Sequence, residues 1–435
     1  MEQVVIIGSG ISGLSTAFRL RKEGVKPVIF EKEEEIGGNI KTVKEGSYIL
    51  ELGPQTVLAD SEVREFMRDA GLEPLEAKPE SKNRYIYRDG RLIPLPMNPL
   101  SFLTSPLISF GAKLRVLREP WAPPPFKSEE TIGDFVRRRL GEEFLTYIVG
   151  PFVSGVYAGD PDQLSVKYAT RKIYQLEREH GSLIKGAIKK KAIGPGGKLV
   201  SFKEGLFTLV RNLAKDIEVK LQNVVLRIRR KDDRFILDTR EGKVECRCLV
   251  VSSPAYTASY LLKDLSWSAS LEFDKIDYVP VVVLHLSVPE GTVPEGFGFL
   301  VPRNQNIRIL GVIFSSKLFE SRAPEGKDLL TVYMGGATDR EILNLSDEEI
   351  GETALRELKN ILKTDNLEIL KITRWKRAIP QYTLGYGKYL ELAREMEKDH
   401  PGLFLTGNYL GGVSVADCIR HSKEVSERVI RFLEG

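Results

Sequence analysis

The amino-acid sequence predicts an α/β fold with more than one domain, and three observations carry that expectation. A β-branched run, a glycine-rich turn, a helical stretch and a second strand open the chain. A second glycine-rich turn enters a helix near its end. The length, 435 residues, exceeds one ordinary core, so two or three domains around a shared site are expected.

In the opening unit, Val4-Val5-Ile6-Ile7 suits a strand buried on both faces and leads into Gly8-Ser9-Gly10-Ile11-Ser12-Gly13. Leu14, Ala17, Phe18 and Leu20 then recur at helical spacing, and Val28-Ile29-Phe30 ends at Glu31. Strand, G-x-G-x-x-G, helix, strand and acid together define a Rossmann-like dinucleotide site. Gly8 makes the tight turn, Gly10 admits a pyrophosphate and Gly13 allows close helix packing. The backbone at Ile11 and Ser12 belongs to the helix N-terminus, and Glu31 is placed to accept hydrogen bonds from ribose hydroxyls.

The continuation selects the cofactor. Glu31-Lys32, Gly37-Gly38-Asn39 and Gly53-Pro54-Gln55-Thr56 resemble the extension found in FAD-containing amine-oxidase-like proteins, and paired glycines let a backbone pass close to a planar ring system. At the far end, Leu403-Phe404-Leu405-Thr406-Gly407-Asn408 reads as a strand entering a turn. Gly411-Gly412-Val413-Ser414-Val415 then opens a helix running towards Phe432 and resembles the C-terminal FAD signature of the same proteins. Between these ends, Val219–Arg229 and Phe235–Asp238 read as paired strands. The resemblance places Val225 at the adenine and Ser252 in a strand returning to the nucleotide domain.

Gly150-Pro151-Phe152-Val153-Ser154-Gly155-Val156-Tyr157-Ala158-Gly159, continuing to Leu164-Ser165, resembles the internal signature of protoporphyrinogen oxidases. The likeness extends over nearly the whole chain. It implies oxidation of a porphyrinogen, protoporphyrinogen or coproporphyrinogen, with FAD as cofactor and dioxygen as acceptor. It further implies that Gly155 lies against the substrate ring, that Arg84 in Asn83-Arg84-Tyr85 holds a propionate, and that Leu300 and Tyr333 flank the macrocycle. Read alone, Arg84 is more readily a surface hairpin arginine, and Leu300 and Tyr333 are equally core residues. The four histidines offer no general base, so the flavin is expected to carry the chemistry.

The implied organisation is a discontinuous FAD domain (1–80, 196–270, 390–435), a mixed-sheet substrate domain (81–91, 271–389) and a helical membrane-contacting domain (92–195). Leu107, Phe110, Leu114 and Leu117 fall at helical spacing beside Lys113, Arg115 and Arg118, with Trp121 following. Such a stripe suits either a core or a bilayer interface. Lys185, Lys189, Lys190 and Lys191 near Gly194-Pro195-Gly196-Gly197 read as a basic helix end and loop. No apolar run reaches the roughly 20 residues of a membrane span. The opening Met1-Glu2-Gln3 shows no leader, so a cytoplasmic protein peripheral to the inner face of the cell membrane is expected.

A net charge of +4, from 64 basic and 60 acidic residues, gives no field suited to nucleic acid. Three cysteines without zinc or redox spacing read as small buried residues. No metal is expected, and a homodimer is left open.

Overall fold

The structure, a computed structural model, describes residues 2–190 and 196–435, without the side chains of Glu2, Gln3 and Lys190. Lys191, Gly194 and Pro195 of the expected basic loop lie outside the described residues. Two seven-stranded sheets dominate. In chain order their strands are β1 (Glu2–Ile7), β2 (Pro27–Phe30), β3 (Arg84–Arg88), β4 (Arg91–Pro94), β5 (Glu218–Lys220), β6 (Val225–Lys231) and β7 (Arg234–Thr239). There follow β8 (Gly242–Val251), β9 (Tyr278–Pro289), β10 (Gly298–Leu300), β11 (Ile309–Phe314), β12 (Lys327–Gly335), β13 (Glu368–Pro380) and β14 (Leu403–Leu405).

The first sheet runs β5-β2-β1-β8-β7-β6, with β14 also paired to β8. β5, β2, β1, β8 and β14 are parallel neighbours, whereas β7 and β6 fold back antiparallel. Val4 to Ile7 are buried on both faces, which is why this strand is a continuous apolar run and not an alternating one. Helices α1 (Ile11–Lys22) and α6 (Val415–Glu434) share a core with this sheet, joining Leu14, Ala17 and Phe18 to Ile419, Val425 and Val429. Because the central strands are parallel, their carboxyl ends bring Gly8, Glu31, Ser252 and Gly407 to one edge. That edge is where open α/β sheets take ligands.

The second sheet runs β13-β9-β12-β11-β10-β3-β4. All neighbours are antiparallel except β10 and β3. On one face α5 (Asp347–Leu362) buries Ile350, Ala354 and Leu358 against Val282, Leu284 and Val332. A capping box between Ser346 and Glu349 starts that helix. The other face meets α4 (Gly150–Tyr157) and the residue 48–55 strip of the nucleotide side.

Between β4 and β5 the chain is mainly helical, including α2 (Pro99–Thr104) and α3 (Phe110–Leu117). Buried ion pairs tie this region together: Arg138 pairs with Glu130 and Glu177, and Arg139 with Glu119 and Glu177. Charges this deeply buried are tolerable only when each is paired.

Two local expectations are corrected. The run Val219–Arg229 is not one strand: Gln222 adopts φ +53°, so β5 adds to β2 while β6 pairs with β7. In the proposed amphipathic stripe the helix begins only at Phe110, capped by the Ser109 hydroxyl, and Leu107 is core. Lys113 is buried, donating to the Leu103 and Ser105 carbonyls at 2.8 and 2.7 Å, so it is not an interfacial cation.

Candidate cofactor and substrate site

The glycine turn after β1 is held by its own backbone. Gly8 has φ +101° and donates its N–H to the Phe30 carbonyl at 2.9 Å. The Ser252 hydroxyl donates to the Ile7 and Gly8 carbonyls. A Cβ at Gly13 would lie 2.1 Å from the Gly8 oxygen, whereas one at Gly10 would meet no atom within 4 Å. Gly13 is therefore a packing glycine, and Gly10 borders open space at the start of α1. Gly37 donates to the Ser9 carbonyl at 2.9 Å, laying Gly37-Gly38 across Gly10. A Cβ at Gly53 would sit 1.9 Å from the Asn39 carbonyl, so the Gly53-Pro54 turn presses on Asn39. Lys32 and Asn39 are exposed, and Thr56 half-buried.

Glu31 does more than was expected of it. Its buried carboxylate accepts from the Ser9 N–H at 2.8 Å, the Ser9 hydroxyl at 2.7 Å and the Glu33 N–H at 3.0 Å. These donors fasten the glycine turn to the end of β2 and leave about one of a carboxylate's four acceptor positions for a ribose hydroxyl. The Asn223 N–H donates to the Glu31 carbonyl at 2.9 Å, which brings Val225, at the start of β6, beside the same acid.

At α6 the Ser414 hydroxyl caps the helix by accepting from the Asp417 N–H. Val413 precedes it half-buried, and Val415 follows buried. The first turns of α1 and α6 share a core, Leu14 belonging to the same buried cluster as Val415, Ala416 and Ile419. Two helix N-termini therefore converge at the carboxyl edge of the sheet, and their dipoles favour negative charge there.

Three aromatic residues completing this region carry no motif. The Tyr382 hydroxyl donates to the Asn408 carbonyl, and the Tyr278 hydroxyl to Asn408 Oδ1 at 3.4 Å. Trp375 Nε1 donates to the Leu52 carbonyl at 2.7 Å. All three come from the second sheet or the segment just after it, so only tertiary folding reveals them.

The four residues assigned to substrate converge. Cross-strand register aligns Ile86, Leu300, Gly311, Tyr333 and Val283 in one row across β3, β10, β11, β12 and β9. Residues two apart on a strand share a face, so Arg84 lies on the same side as Ile86, and the row faces away from α5. Gly155 of α4 abuts Leu300: a Cβ there would lie 2.6 Å from Leu300 Cδ2.

Arg84 is largely buried, its guanidinium 5.1 Å from the centre of the Phe297 ring. Burial alone pulls its pKa down, with no opposing acid. Among the described residues no carboxylate lies within 4 Å of it. Arg88, four residues on, is committed to Asp89, Glu143 and the Leu107 carbonyl. Burial pushes the Tyr333 pKa well up, so it remains a neutral phenol. Burial draws His285 and His421 down to about 4. His285 shares this face of the sheet but is sealed beneath the Glu51 carbonyl, and His421 is turned to the Thr406 hydroxyl.

The open side of Gly10, the stacked glycines and the paired helix N-termini suit a flavin dinucleotide. Residues 11–430 match the model of the flavin containing amine oxidoreductase family. The fold is that of a chain from Exiguobacterium sp. 255-15 (TM-score 0.85, 23 % identity, 100 % of this chain and 99 % of that one). It is also that of cyclohexylamine oxidase from Brevibacterium oxydans IH-35A (TM-score 0.72, 16 % identity, all of both chains). In sequence the chain is 33 % identical to protoporphyrinogen oxidase 1, chloroplastic, of Spinacia oleracea, over 99 % of this chain and 84 % of that protein. It is 31 % identical to coproporphyrinogen III oxidase of Bacillus subtilis (strain 168), over 99 % and 98 %. The site and fold thus define an FAD-dependent oxidoreductase. The chain belongs to the protoporphyrinogen and coproporphyrinogen oxidase family of flavin amine oxidoreductases.

Proposed function

We propose that the protein oxidises protoporphyrinogen IX to protoporphyrin IX in haem biosynthesis. The substrate loses six hydrogens in three two-electron steps, and three dioxygen molecules leave as hydrogen peroxide. Bound FAD supplies the two-electron acceptor that dioxygen regenerates. The observation that supports this most is the shared face of the second sheet: Arg84 without a carboxylate partner, Leu300 and Tyr333 in one row, and a bare glycine, Gly155, opposite.

Each residue has a physical task in that reading. Arg84 grips a propionate through two parallel charge-assisted hydrogen bonds, pre-aimed by the Phe297 ring. Gly155 leaves room for the Leu300 side chain, so that Leu300 and Tyr333 flank a macrocycle lying beside the Gly155 turn of α4. Ile11, Ser12, Ser414 and Val415 present helix N-termini to the cofactor, and Val225 offers its backbone to the adenine. His285 is fully buried beneath the Glu51 carbonyl and His421 is turned to the Thr406 hydroxyl, so we assign no general base.

One unpaired guanidinium, with neighbouring Arg88 already engaged, suits two propionates better than four. Protoporphyrinogen is therefore placed ahead of coproporphyrinogen. Assaying protoporphyrinogen, coproporphyrinogen and simple amines side by side for peroxide and fluorescent porphyrin tests the reading. Faster turnover of the four-propionate substrate would replace it, and amine turnover alone would end it.

The helical segment supports peripheral membrane attachment. No described helix is long and apolar enough to cross a membrane. Leu100 and Trp121 are nevertheless 73 % and 81 % exposed, beside exposed Leu103, Phe110, Leu114 and Leu117. A cluster of this kind marks an interaction surface, and an apolar porphyrinogen would be drawn from lipid there. Flotation with anionic liposomes is expected, and a protein left wholly in the soluble fraction would contradict it.

A further inference from the structure

The turn after β10, Arg303-Asn304-Gln305, reaches three elements around the proposed substrate space. Arg303 Nη2 donates to the Gly159 carbonyl at 2.6 Å and its Nε to the Ser154 hydroxyl at 3.4 Å, both at the carboxyl end of α4. Asn304 Nδ2 donates to the Tyr147 hydroxyl at 3.0 Å, just before that helix. Gln305 Oε1 accepts from the Asp89 N–H at 2.9 Å, in the turn of the β3–β4 hairpin whose first strand begins at Arg84.

The end of α4 is gripped at consecutive carbonyls. The helix stops where Ala158 turns left-handed, at φ +45°, a conformation that a residue with a Cβ keeps only when its surroundings enforce it. Carbonyls at a helix end lack partners within the helix. Here Gln381 Nε2 donates to the Tyr157 carbonyl at 3.0 Å, the Ala337 N–H to the Ala158 carbonyl at 2.7 Å, and Arg303 to the Gly159 carbonyl. These donors follow β13, β12 and β10, so the second sheet holds the helix from three of its strands. Of the three only Arg303 is charged, and charge-assisted bonds are the stronger ones. Gly155 lies on the helix that Arg303 holds, and Leu300, which fills the space of its missing Cβ, ends the strand three residues before Arg303. One side chain thus ties together both partners of the Gly155–Leu300 contact.

We propose that Arg303 is a positioning residue: it holds α4 at a fixed distance from β10 and so sets how far Leu300 protrudes into the space of the macrocycle. This rests on the porphyrinogen reading above. With the guanidinium in place α4 cannot retreat, and a carbon added at Gly155 has to displace Leu300 towards the substrate. Without it, the helix gives way first.

Arg303→Gln and Gly155→Ala, alone and combined in the flavin-loaded protein, test it. Arg303→Gln should raise KM for protoporphyrinogen about 10-fold, with kcat changed less than about twofold. Gly155→Ala should raise KM several-fold in the wild-type background but less than about twofold once Arg303 is replaced. Gln381→Leu, which frees the Tyr157 carbonyl at the same helix end, should relieve Gly155→Ala in the same way. A guanidinium that only bound substrate would leave the losses multiplicative. Arg303→Lys lacks the fork that reaches both acceptors, so its KM should fall between those of the wild type and Arg303→Gln. Amide hydrogen exchange along α4, read without substrate, should quicken in Arg303→Gln while α6 stays protected. Multiplicative KM losses, an unchanged KM in Arg303→Gln, or unchanged exchange along α4 would each overturn the positioning role alone. Wild-type protein that oxidises no porphyrinogen would overturn the functional reading, and the exchange result would still decide whether Arg303 holds α4.

Discussion

A Cβ built on Gly155 would lie 2.6 Å from Leu300 Cδ2, and one on Gly311 would lie 2.7 Å from the same atom. Leu300 is thus seated between two glycines of different elements, α4 and β11. The atom in the way is the end of a flexible side chain. Gly155→Ala should therefore push Leu300 into the substrate space without unfolding the protein. KM for porphyrinogen is expected to rise several-fold with the thermal midpoint nearly unchanged, and adding Leu300→Ala should recover part of the loss. No recovery in steady-state kinetics would place the substrate elsewhere.

The glycines of the first turn should separate by phenotype. Gly10 borders open space, so Gly10→Val should give a folded protein that no longer retains FAD. Gly13→Ala sets a carbon 2.1 Å from the Gly8 carbonyl oxygen, and should lower the thermal midpoint of the apoprotein itself. Circular dichroism melting with flavin titration reads both, and equal destabilisation of the two apoproteins would refute the division of labour.

Arg84→Ala should retain flavin while KM for porphyrinogen rises on the order of 10- to 100-fold, the cost of losing charge-assisted hydrogen bonds. Arg84→Lys should recover only part, because an ammonium cannot make the two parallel bonds. Unchanged kinetics in Arg84→Ala would remove the propionate assignment.

Titration of buried groups sets the acid side of stability. Burial lowers His285 and His421 from an ordinary 6.5 to about 4, so the unfolded chain binds more protons between those values. Stability is lost as pH falls from about 6.5 towards 4. Glu51 acts in the opposite sense. Burial raises it from 4.5 to about 7, against hydrogen bonds from Thr42 and Leu206 and the charge of Arg322. It therefore adds stability as pH falls from about 7 to 4.5. Glu51→Gln removes that offset, so its thermal midpoint should fall more steeply than the wild type's between about pH 7 and pH 5. Parallel profiles would show that Glu51 does not titrate in this range.

Much of the nucleotide half was legible in the sequence because its signals are local. The β-branched strand, the turn glycines and the acid at residue 31 follow one another within a single βαβ unit. Glu31's bonds to Ser9 were not legible, since they depend on how the end of β2 meets the turn. The break at Gln222 left only a faint mark, the polar pair Gln222-Asn223 inside an otherwise strand-like run. Lys113 misled for a related reason: helical spacing shows which residues share a face, not whether neighbouring carbonyls capture an ammonium. The contacts of Tyr278, Trp375 and Tyr382 join segments more than 20 residues apart, beyond the reach of periodicity. Arg84, Leu300 and Tyr333 come from three strands, and only the sheet's register reveals that they share a face.

The central claim is that a porphyrinogen is oxidised against a flavin held where the chain's first and last segments meet. The most direct test is to add protoporphyrinogen IX to the purified, flavin-loaded protein without oxygen and then admit air. The account predicts that the flavin colour bleaches, returns with air, and yields three hydrogen peroxide molecules for each porphyrin formed. A flavin that stays oxidised in the presence of porphyrinogen would contradict it.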